Sequence, residues 1–302
     1  MPRSIKIGLN PLPWVLTPAG FDLSIPVLRT AFGEIATTPF RAIQADPPAG
    51  LNAAEYSQLL AEFGLEPAPG YFSASFHTET AGRHRGGRET TRRAASRPRQ
   101  HRGLHRRQSH SGTDGAPSRW CRRKRGDPSP RHRRAGCGCC AITSEGVTPA
   151  LHPHVGSTVE TESEVHAVLN AIPSSDLSFG PDTGHLAWAG MTPSKIMADY
   201  ADRIVAMHLK DVHLDQADQA RAAEADYMTA TARDFTIWTE PGRGDVDLLA
   251  ALDAVPDTFS GWAMVEVDIP EASTNLESTQ LSAAWVTERL GVHVFETVTR
   301  DS

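Results

Sequence analysis

Four potential metal ligands lie at or just beyond the ends of short apolar runs, and this pattern strongly constrains the fold. Each run has the length of a β-strand and is bounded by Gly, Pro or polar residues. The runs cover residues 147–154, 177–182, 203–208 and 262–266, and the ligands are Glu160, a few residues past the first run, and Asp182, His208 and Glu266, which close the other three.

Helix-like stretches separate these runs. Residues 161–172, 193–201 and 246–255 carry apolar side chains at helical spacing. Thr192 and Pro193 make a helix start, as N-cap and first helical position. Alternating strands and helices predict an α/β fold with a parallel sheet and helical crossovers. In a (β/α)8 TIM barrel all strands open at their C-terminal ends on one face, where residues distant in sequence converge.

The donor set indicates a hard or borderline divalent ion. Carboxylates with one imidazole suit Mn²⁺, Co²⁺, Mg²⁺ or Zn²⁺. Taken singly, Asp182 and Glu266 have an alternative interpretation as helix caps or surface carboxylates, and His208 as a packed core residue. Their joint position at strand ends favours a site.

Several motifs in the same order resemble one known family. They are Leu151-His-Pro-His-Val-Gly-Ser-Thr-Val-Glu160, Pro181-Asp-Thr-Gly-His185, His208-Leu-Lys-Asp211 and Gly261-Trp-Ala-Met-Val-Glu266. Together they resemble the sugar isomerase/epimerase superfamily, whose members have a xylose isomerase-like barrel, and within it the inosose dehydratase-like branch. Residues 5–14, 39–46 and 64–71 look like the first three strands of that branch. The resemblance covers residues 4–80 and 143–290.

The resemblance implies ligand and catalytic roles. Glu160 and Glu266 match positions that serve both as ligands and as the acid/base pair, whereas Asp182 and His208 match positions that are ligands only. Lys210 matches a polar position that contacts substrate hydroxyls and can give a proton to a leaving hydroxyl.

Further residues are expected to line the substrate pocket. His185 matches a substrate-contacting position. His152 and His154 point to the same rim on one face of the strand, with core packing as the alternative. Asn10 and Trp14 lie at the end of the first strand, and Trp14 has ordinary packing as its alternative. The glycine-rich turn at residues 240–245 adds Glu240 and Arg243.

The implied reaction begins with a divalent ion that is chelated by a carbonyl and an adjacent hydroxyl of the substrate, which acidifies the neighbouring C–H group. A carboxylate then removes the proton and a metal-stabilised enediolate forms. Reprotonation isomerises or epimerises this species, and loss of a β-hydroxyl dehydrates it. Inosose dehydration is the leading expectation, with isomerisation of a sugar or hydroxy-keto acid close behind.

Two other function classes stay open. An endonuclease IV-type nuclease has a similar barrel but needs a trinuclear zinc site, and the early strands offer few extra ligands beyond His77 and Glu79. A non-catalytic barrel that binds nucleic acid through its Arg-rich segment is the third class. The expected partner is therefore a small sugar or cyclitol, and nucleic acid is not favoured.

The Arg-rich segment interrupts the family pattern. Residues 83–134 hold seventeen Arg and one Lys against three acidic residues, a net charge of +15, whereas the remainder of the chain carries −21. Clustered guanidinium groups suggest phosphate binding. However, Trp120 is the segment's only aromatic residue for base stacking. The segment also replaces the region around helix 3, strand 4 and helix 4 of the barrel.

We therefore hypothesise that this segment is translated in a shifted reading frame of a GC-rich gene. The codons of Gly136-Cys-Gly-Cys-Cys140, displaced by one base, encode small residues that suit a helix end leading into residues 141–147. On this hypothesis residues 83–140 are disordered or poorly packed within a single barrel domain spanning 1–302. The nucleotide sequence of the gene checks it.

The remaining features are less informative. All four cysteines lie in or beside the Arg-rich segment, at spacings that fit neither a zinc ribbon nor a disulfide framework. No signal region or membrane-length apolar run is evident, so a cytoplasmic protein without membrane contact is expected. The Ala-rich stretch 215–234 is a candidate lid or homo-oligomer contact, with a solvated surface helix as the alternative.

Overall fold

The computed structural model describes residues 3–17, 20–70, 143, 146–231 and 235–295. The strands are β1 (Ser4–Leu9), β2 (Leu16–Thr17), β3 (Gly20–Phe21), β4 (Ala42–Gln44), β5 (Glu66–Ala68), β6 (Ala150–Leu151), β7 (Ser178–Phe179), β8 (Ala206–Leu209), β9 (Asp211–Val212), β10 (Trp238–Thr239) and β11 (Ser260–Val265). The helices are α1 (Leu12–Val15), α2 (Ile25–Ile35), α3 (Ala53–Ala61), α4 (Glu162–Ala171), α5 (Thr183–Trp188), α6 (Pro193–Asp199), α7 (Leu214–Ala222), α8 (Tyr227–Ala230), α9 (Leu248–Asp253) and α10 (Asn275–Leu290).

A parallel sheet organises the fold. Five strands pair in the order β5-β4-β1-β11-β8. Beyond β8 the order continues with β7. Two isolated parallel bridges, Phe179 with Ile204 and Asp182 with His208, join the chain around these two strands, and β7 pairs in parallel with β6. This is the order of neighbours around a (β/α)8 barrel, from the third strand back to the first and then from the eighth to the fifth. The expected fourth strand falls within residues 83–140, outside the described residues.

The chain divides into two compact units. The first unit comprises Met1–Ser73, Ala150–Glu162 and Ser178–Ser302, and it contains all the strands named above. The second comprises Ala74–Pro149 and Ser163–Leu177. Of that second unit the structure describes residues 143, 146–149 and 163–177, which include most of α4. A single domain over 1–302 stays a prediction.

Strand register aligns the ends of three central strands. Leu9 of β1 pairs with Ile43 of β4 and with Val265 of β11. Val265 pairs in turn with Leu209 of β8. Because paired residues of adjacent parallel strands face the same side and faces alternate along each strand, the residues that follow this row share the opposite face. That next row contains Asn10, Glu266 and Lys210.

The helical expectations are confirmed, and several strands are shorter than the apolar runs that predicted them. Helices occupy residues 162–171, 193–199 and 248–253. The run 147–154 yields only β6, which ends at Leu151, so the prediction that His152 and His154 lie on the same face of a strand is wrong. Pro153 lies between them and has no N–H to extend a strand ladder. None of the helices described here has both the length and the apolar content to cross a membrane.

Candidate active site

Three of the predicted ligands meet at the C-terminal ends of β8 and β11 and at the loop after β7. His208 Nδ1 lies 3.0 Å from Glu266 Oε2 and 3.5 Å from Asp182 Oδ2. Backbone pairing fixes this meeting, since His208 N donates to Pro181 O at 2.8 Å and Glu266 N to Leu209 O at 3.2 Å. Asp182 Oδ2 and His208 Nδ1 are buried and make no hydrogen bond within the described part of the chain.

Asp182 uses its two carboxylate oxygens for different purposes. Oδ1 accepts a hydrogen bond of 2.8 Å from His185 N and so caps α5. Oδ2 faces the cluster with His208 and Glu266 and lies 3.5 Å from His208 Nδ1. Burial opposes the charged form of Asp182, but His185 and Lys210 outweigh it and hold the pKa of this carboxyl below its usual range. The helix-cap interpretation is therefore confirmed for Oδ1, and a ligand role for Oδ2 stays a prediction.

Charge pairing sets the protonation of His208 and Glu266. Burial would lower the pKa of His208, yet Glu266 and Asp182 raise it to about 9. Burial would raise the pKa of Glu266, but Lys210 and His208 hold it well below its usual range. Asn10 donates from Nδ2 to Glu266 Oε2, and Lys210 Nζ donates to Glu266 Oε1 at 2.5 Å. In the metal-free protein a protonated His208 therefore faces two carboxylates at neutral pH.

Lys210 is a buried ammonium group between two carboxylates. Its Nζ lies 2.5 Å from Asp268 Oδ1 as well as 2.5 Å from Glu266 Oε1, and only 1% of the residue is exposed. The ammonium also lies 4.2 Å from the centre of the Trp238 ring, within the range of a cation–π contact. Burial disfavours the charged form, but Asp268 and Glu266 outweigh it and raise the pKa of Lys210 above its usual value.

Thr183 and Gly184, in the middle of the Pro181–His185 motif, fix the position of Lys210. Thr183 Oγ1 donates to Lys210 O at 2.7 Å and accepts from Lys210 N at 2.9 Å. A Cβ atom on Gly184 would lie 2.8 Å from Lys210 Cγ and 3.1 Å from both Cβ and Cδ, so a larger residue would displace the lysine side chain. The motif thus supplies the predicted ligand Asp182 and the packing for the neighbouring strand's lysine.

Three imidazoles lie beside this centre. His152 directly follows β6, contacts Gly180 O through Nδ1 at 3.1 Å, and has Nε2 3.9 Å from Asp182 Oδ2. The His154 ring packs on the His185 ring with centroids 3.7 Å apart. His185 Nε2 lies 3.4 Å from Lys210 Nζ, and His185 Nδ1 lies 3.4 Å from the Val155 amide nitrogen. These predicted substrate-contacting histidines are therefore brought together with the predicted ligands.

The structure adds Asp268 and Tyr227, which the sequence analysis did not identify. Tyr227 begins α8 and donates its hydroxyl to Asp268 Oδ2 at 2.7 Å. Burial raises the pKa of Asp268 to about 6, although Lys210 opposes that shift. Asp268 lies two residues after Glu266 but beyond the end of β11 at Val265, so strand alternation does not extend to it. Tyr227 lies in the polar stretch 215–234, where no sequence pattern singles it out.

Asp211 organises the glycine-rich turn that was predicted to carry Glu240 and Arg243. Its carboxylate accepts hydrogen bonds of 2.9–3.1 Å from the amides of Val212, Gly242, Gly244 and Val246. Glu240 is fully buried and accepts a 3.2 Å bond from Ala272 N, whereas Arg243 is exposed. A contact between either side chain and a substrate stays a prediction.

Glu160 and Trp14 each make a hydrogen bond with a residue outside the ligand cluster. Glu160 Oε2 accepts from Gly156 N at 3.1 Å, and Trp14 Nε1 donates to Glu34 Oε2 at 3.0 Å. Two groups of three ligand atoms, each group within 4.8 Å, occur in the described ranges: Asp182 with His208 and Glu266, and Asp182 with His152 and His185. Glu160 belongs to neither group, so its ligand role stays a prediction.

These residues fit a divalent cation. Buried, ionised carboxylates and an imidazole supply the oxygen and nitrogen donors that such ions take. The Asp182 and His208 atoms that face each other lack any hydrogen-bond partner in the region described. Without an ion these atoms are held by charge contacts, since His208 Nδ1 lies 3.0 Å from Glu266 Oε2 and 3.5 Å from Asp182 Oδ2.

Comparisons with known proteins agree with this architecture. The chain is 32% identical over 124 residues to an inosose dehydratase of Geobacillus kaustophilus (strain HTA426), covering 41% of this chain and 40% of the relative. It is 35% identical over 124 residues to the rhizopine catabolism protein MocC of Rhizobium meliloti, covering 41% of this chain and 37% of that protein. The aligned part thus spans about two fifths of these relatives.

Solved structures support the fold. An L-ribulose 3-epimerase structure matches 99% of this chain and 99% of its own with a TM-score of 0.58 at 14% identity. The probable 3-DHS dehydratase AsbF from Bacillus anthracis matches 94% of this chain and 100% of its own with a TM-score of 0.56 at 13% identity. The family profile described as "Xylose isomerase-like TIM barrel" matches residues 32–289. The predicted TIM-barrel fold class is therefore confirmed, and the chain belongs to the xylose isomerase-like TIM barrel family.

Proposed function

We propose that this protein is a divalent-metal-dependent enzyme that acts on a keto-cyclitol or keto-sugar, with inosose dehydration as its leading reaction. The observation that carries the proposal is the cluster of Asp182, His208 and Glu266 next to the Lys210 ammonium. The relatives named inosose dehydratase support the choice of substrate class. Isomerisation or epimerisation of a ketose is the alternative outcome of the same first step.

Asp182, His208 and Glu266 would hold the ion, with Glu160 as the fourth ligand expected from the family resemblance. When bound, the ion supplies Lewis acidity that polarises a carbonyl and adjacent hydroxyl and acidifies the C–H bond beside them. Asn10 and Lys210 orient the Glu266 carboxylate by donating to one oxygen each.

Proton transfer falls to the groups around Lys210. Glu266 and Asp268 are the candidate acceptors for the substrate's C–H proton, and a pKa of about 6 suits Asp268 to exchange protons near neutral pH. Lys210 Nζ, protonated at neutral pH, gives its proton to the leaving β-hydroxyl, which departs as water. Asp268 Oδ1 lies 2.5 Å from Lys210 Nζ, so an Asp268 that has taken the C–H proton can return it to the amine.

The remaining site residues would recognise the hydroxyl groups of the substrate. We assign this task to His185, His154 and His152, which lie beside the centre. Asn10, Trp14, Glu240 and Arg243 are retained as further candidates. Trp14 and Glu240 already have hydrogen-bond partners in Glu34 and Ala272, so their contribution is expected to be smaller.

Turnover tests the proposal. The purified full chain, loaded with Mn²⁺, is incubated in D₂O with a keto-inositol and, separately, with a panel of ketoses, and products are followed by NMR. We expect loss of the α-C–H signal and release of one water from the keto-inositol. Deuterium exchange into a ketose without dehydration would favour the isomerase alternative. No exchange into any of these compounds by a protein with bound Mn²⁺ would contradict the proposal.

Metal affinity should increase with pH. In the metal-free protein His208 has a pKa of about 9 and must lose its proton to offer a lone pair. Asp182 and Glu266 are already ionised, because their pKa values lie below the usual range. We therefore expect the Mn²⁺ association constant to rise roughly tenfold per pH unit between pH 7 and about 9 and then to level.

Titration calorimetry measures this dependence. In buffers with different ionisation enthalpies, Mn²⁺ binding at pH 7.5 should release close to one proton per ion. An association constant that stays flat between pH 7 and 9 would show that His208 is not a ligand or is already neutral.

A further inference from the structure

We infer that Gln44 is a specificity-determining residue whose side-chain amide binds one ring hydroxyl of a cyclitol substrate. This inference rests on the proposed function, because it concerns the same site, and it narrows the substrate class to cyclitols. Gln44 is the last residue of β4 and is not among the site residues that the sequence analysis identified.

Strand register places Gln44 in the row of site residues. The residue before Gln44 pairs with the residue before Asn10, and the same row continues to Glu266 and Lys210 on the next two strands. Backbone hydrogen bonds from Asn10 N and Glu266 N to the neighbouring strands, of 2.9 and 3.2 Å, extend the ladder to this row. Adjacent strands lie about 4.8 Å apart and paired residues face the same side, so Gln44 and Asn10 are neighbours on one wall.

Packing two residues earlier shows that this side of β4 is the barrel interior. Ala42 is buried against Met264 and Ala68. Ala42 precedes Gln44 by two residues, as Met264 precedes Glu266, and Ala68 pairs directly with Gln44. Because side chains two residues apart on a strand share a face, the Gln44 amide lies above this apolar layer on the side of the site.

The Gln44 amide is buried and lacks a partner for its oxygen. Only 8% of the residue is exposed, and Oε1 makes no hydrogen bond in the part of the chain that the structure describes. Asn10, its neighbour in the row, already donates from Nδ2 to Glu266 Oε2. A buried acceptor without a donor is unfavourable, so this oxygen is the one that a bound molecule can satisfy.

A hydroxyl group suits this amide. A carboxamide has both an acceptor oxygen and donor hydrogens, and a hydroxyl accepts and donates in the same way. The proposed acid Lys210 and the carboxylate of Glu266 lie on β8 and β11, beyond Asn10 in the strand order, so Gln44 contacts a carbon remote from the bond that breaks. Every ring carbon of a cyclitol bears an oxygen, so a ring held at Lys210 still presents a hydroxyl to this wall.

The test measures the coupling between Gln44 and one hydroxyl of the ligand. The full chain, loaded with Mn²⁺, is titrated with myo-inositol and with its single-deoxy analogues, and affinities are obtained by ligand-detected NMR. These compounds lack the carbonyl that proton abstraction requires, so binding is measured without turnover. We expect one deoxy position to lower the affinity of the wild type at least about fivefold through loss of the Gln44 contact.

Gln44→Met keeps the length of the side chain and removes its hydrogen-bonding groups. This variant should bind myo-inositol at least about fivefold more weakly, and removal of the hydroxyl at the coupled position should cost it nothing further. For a keto-inositol we expect KM to rise by a similar factor and kcat to change less than about threefold, because the contact is the same in the ground state and the transition state. The free energy of unfolding should equal or exceed that of the wild type, since an unpaired amide leaves the interior.

Gln58→Met is the matched control. It makes the same chemical change at an exposed position of α3. Both the affinity for myo-inositol and the losses at each deoxy position should match those of the wild type.

The outcomes separate this inference from the proposed function. Equal losses at the coupled position in the wild type and in Gln44→Met would overturn the inference, and dehydration of a keto-inositol by the same protein would leave the proposed function intact. A lower free energy of unfolding in Gln44→Met with unchanged affinity would assign the residue a structural role and also overturn it. Affinities for all deoxy analogues that equal the affinity for myo-inositol in the wild type would overturn it without any variant. A wild-type protein that neither binds inositols nor acts on a keto-inositol would overturn the inference and the leading reaction together.

Discussion

Asp182→Asn is expected to abolish tight metal binding and turnover while the fold is retained. An asparagine keeps a side-chain oxygen that can accept from His185 N, so the start of α5 stays capped. The asparagine lacks the negative charge of the Asp182 carboxylate, whose Oδ2 lies 3.5 Å from His208 Nδ1. We expect the Mn²⁺ affinity to fall at least about a hundredfold, a loss of roughly 2.7 kcal/mol. Calorimetry measures the affinity, and NMR of the substrate measures the turnover.

Asp247→Asn is the matched control for this change. Asp247 caps α9 by the same type of bond, since it accepts from Ala250 N at 2.9 Å, but it is exposed and lies in neither ligand group. Metal affinity should be unchanged in this variant. Asp182→Ala should in addition lose the cap, which lowers the free energy of unfolding by about 1 kcal/mol relative to Asp182→Asn. Equal affinities in the wild type and Asp182→Asn would remove Asp182 from the ligand set.

Lys210→Met should strongly destabilise the metal-free protein. The substitution leaves Glu266 and Asp268 buried without the ammonium that lies 2.5 Å from each. Removing one partner of a buried ion pair typically costs about 3–5 kcal/mol in the free energy of unfolding. Denaturant titration of the metal-free protein measures this loss. Turnover should fall about a hundredfold or more, because the proposed proton donor to the leaving hydroxyl is gone.

The pH dependence of this stability loss and two further variants test whether the lost ion pairs of Lys210 cause it. Without Lys210, folding raises the pKa values of the two carboxyls, so the folded state binds more protons and the deficit should shrink as the pH falls toward about 4. Asp268→Asn added to Lys210→Met should recover part of the stability. Arg29→Met removes an exposed pair with Glu62, 2.7 Å apart, and should cost about 0–1 kcal/mol. A comparable loss in Arg29→Met and Lys210→Met would contradict the argument.

Strand ends were predictable from the sequence because an apolar run of strand length indicates the strand, and the polar residue that closes the run indicates where the strand ends. Asp182, His208 and Glu266 were identified on that basis, and the structure brings their ligand atoms within 4.8 Å of one another. The helices over 162–171 and 193–199 were predictable from helical spacing and, in the second case, from Thr192 and Pro193. The structure described here does not include residues 83–140, on which the reading-frame hypothesis rests.

Contacts between elements distant in sequence could not be predicted from local patterns. Tyr227 reaches Asp268 across 41 residues, and the stretch that carries it is polar and Ala-rich, without a periodicity that marks a buried face. The structure ends β6 at Leu151, three residues before the end of the predicted run. Apolar content continues to Val155, so the sequence placed the strand end too late.

Asp211 fixes the backbone path of the glycine-rich turn through hydrogen bonds to amide groups, so this path does not depend on the exposed side chain at position 243. Four backbone amides donate to this one carboxylate, and Cβ atoms at Gly242 and Gly244 would lie 2.5 Å from Trp285 and 2.4 Å from Asp211. Position 243 projects into solvent and carries none of these constraints. Libraries that diversify this position to alter substrate preference should therefore yield mostly folded proteins, whereas libraries that randomise 211, 242 or 244 should not.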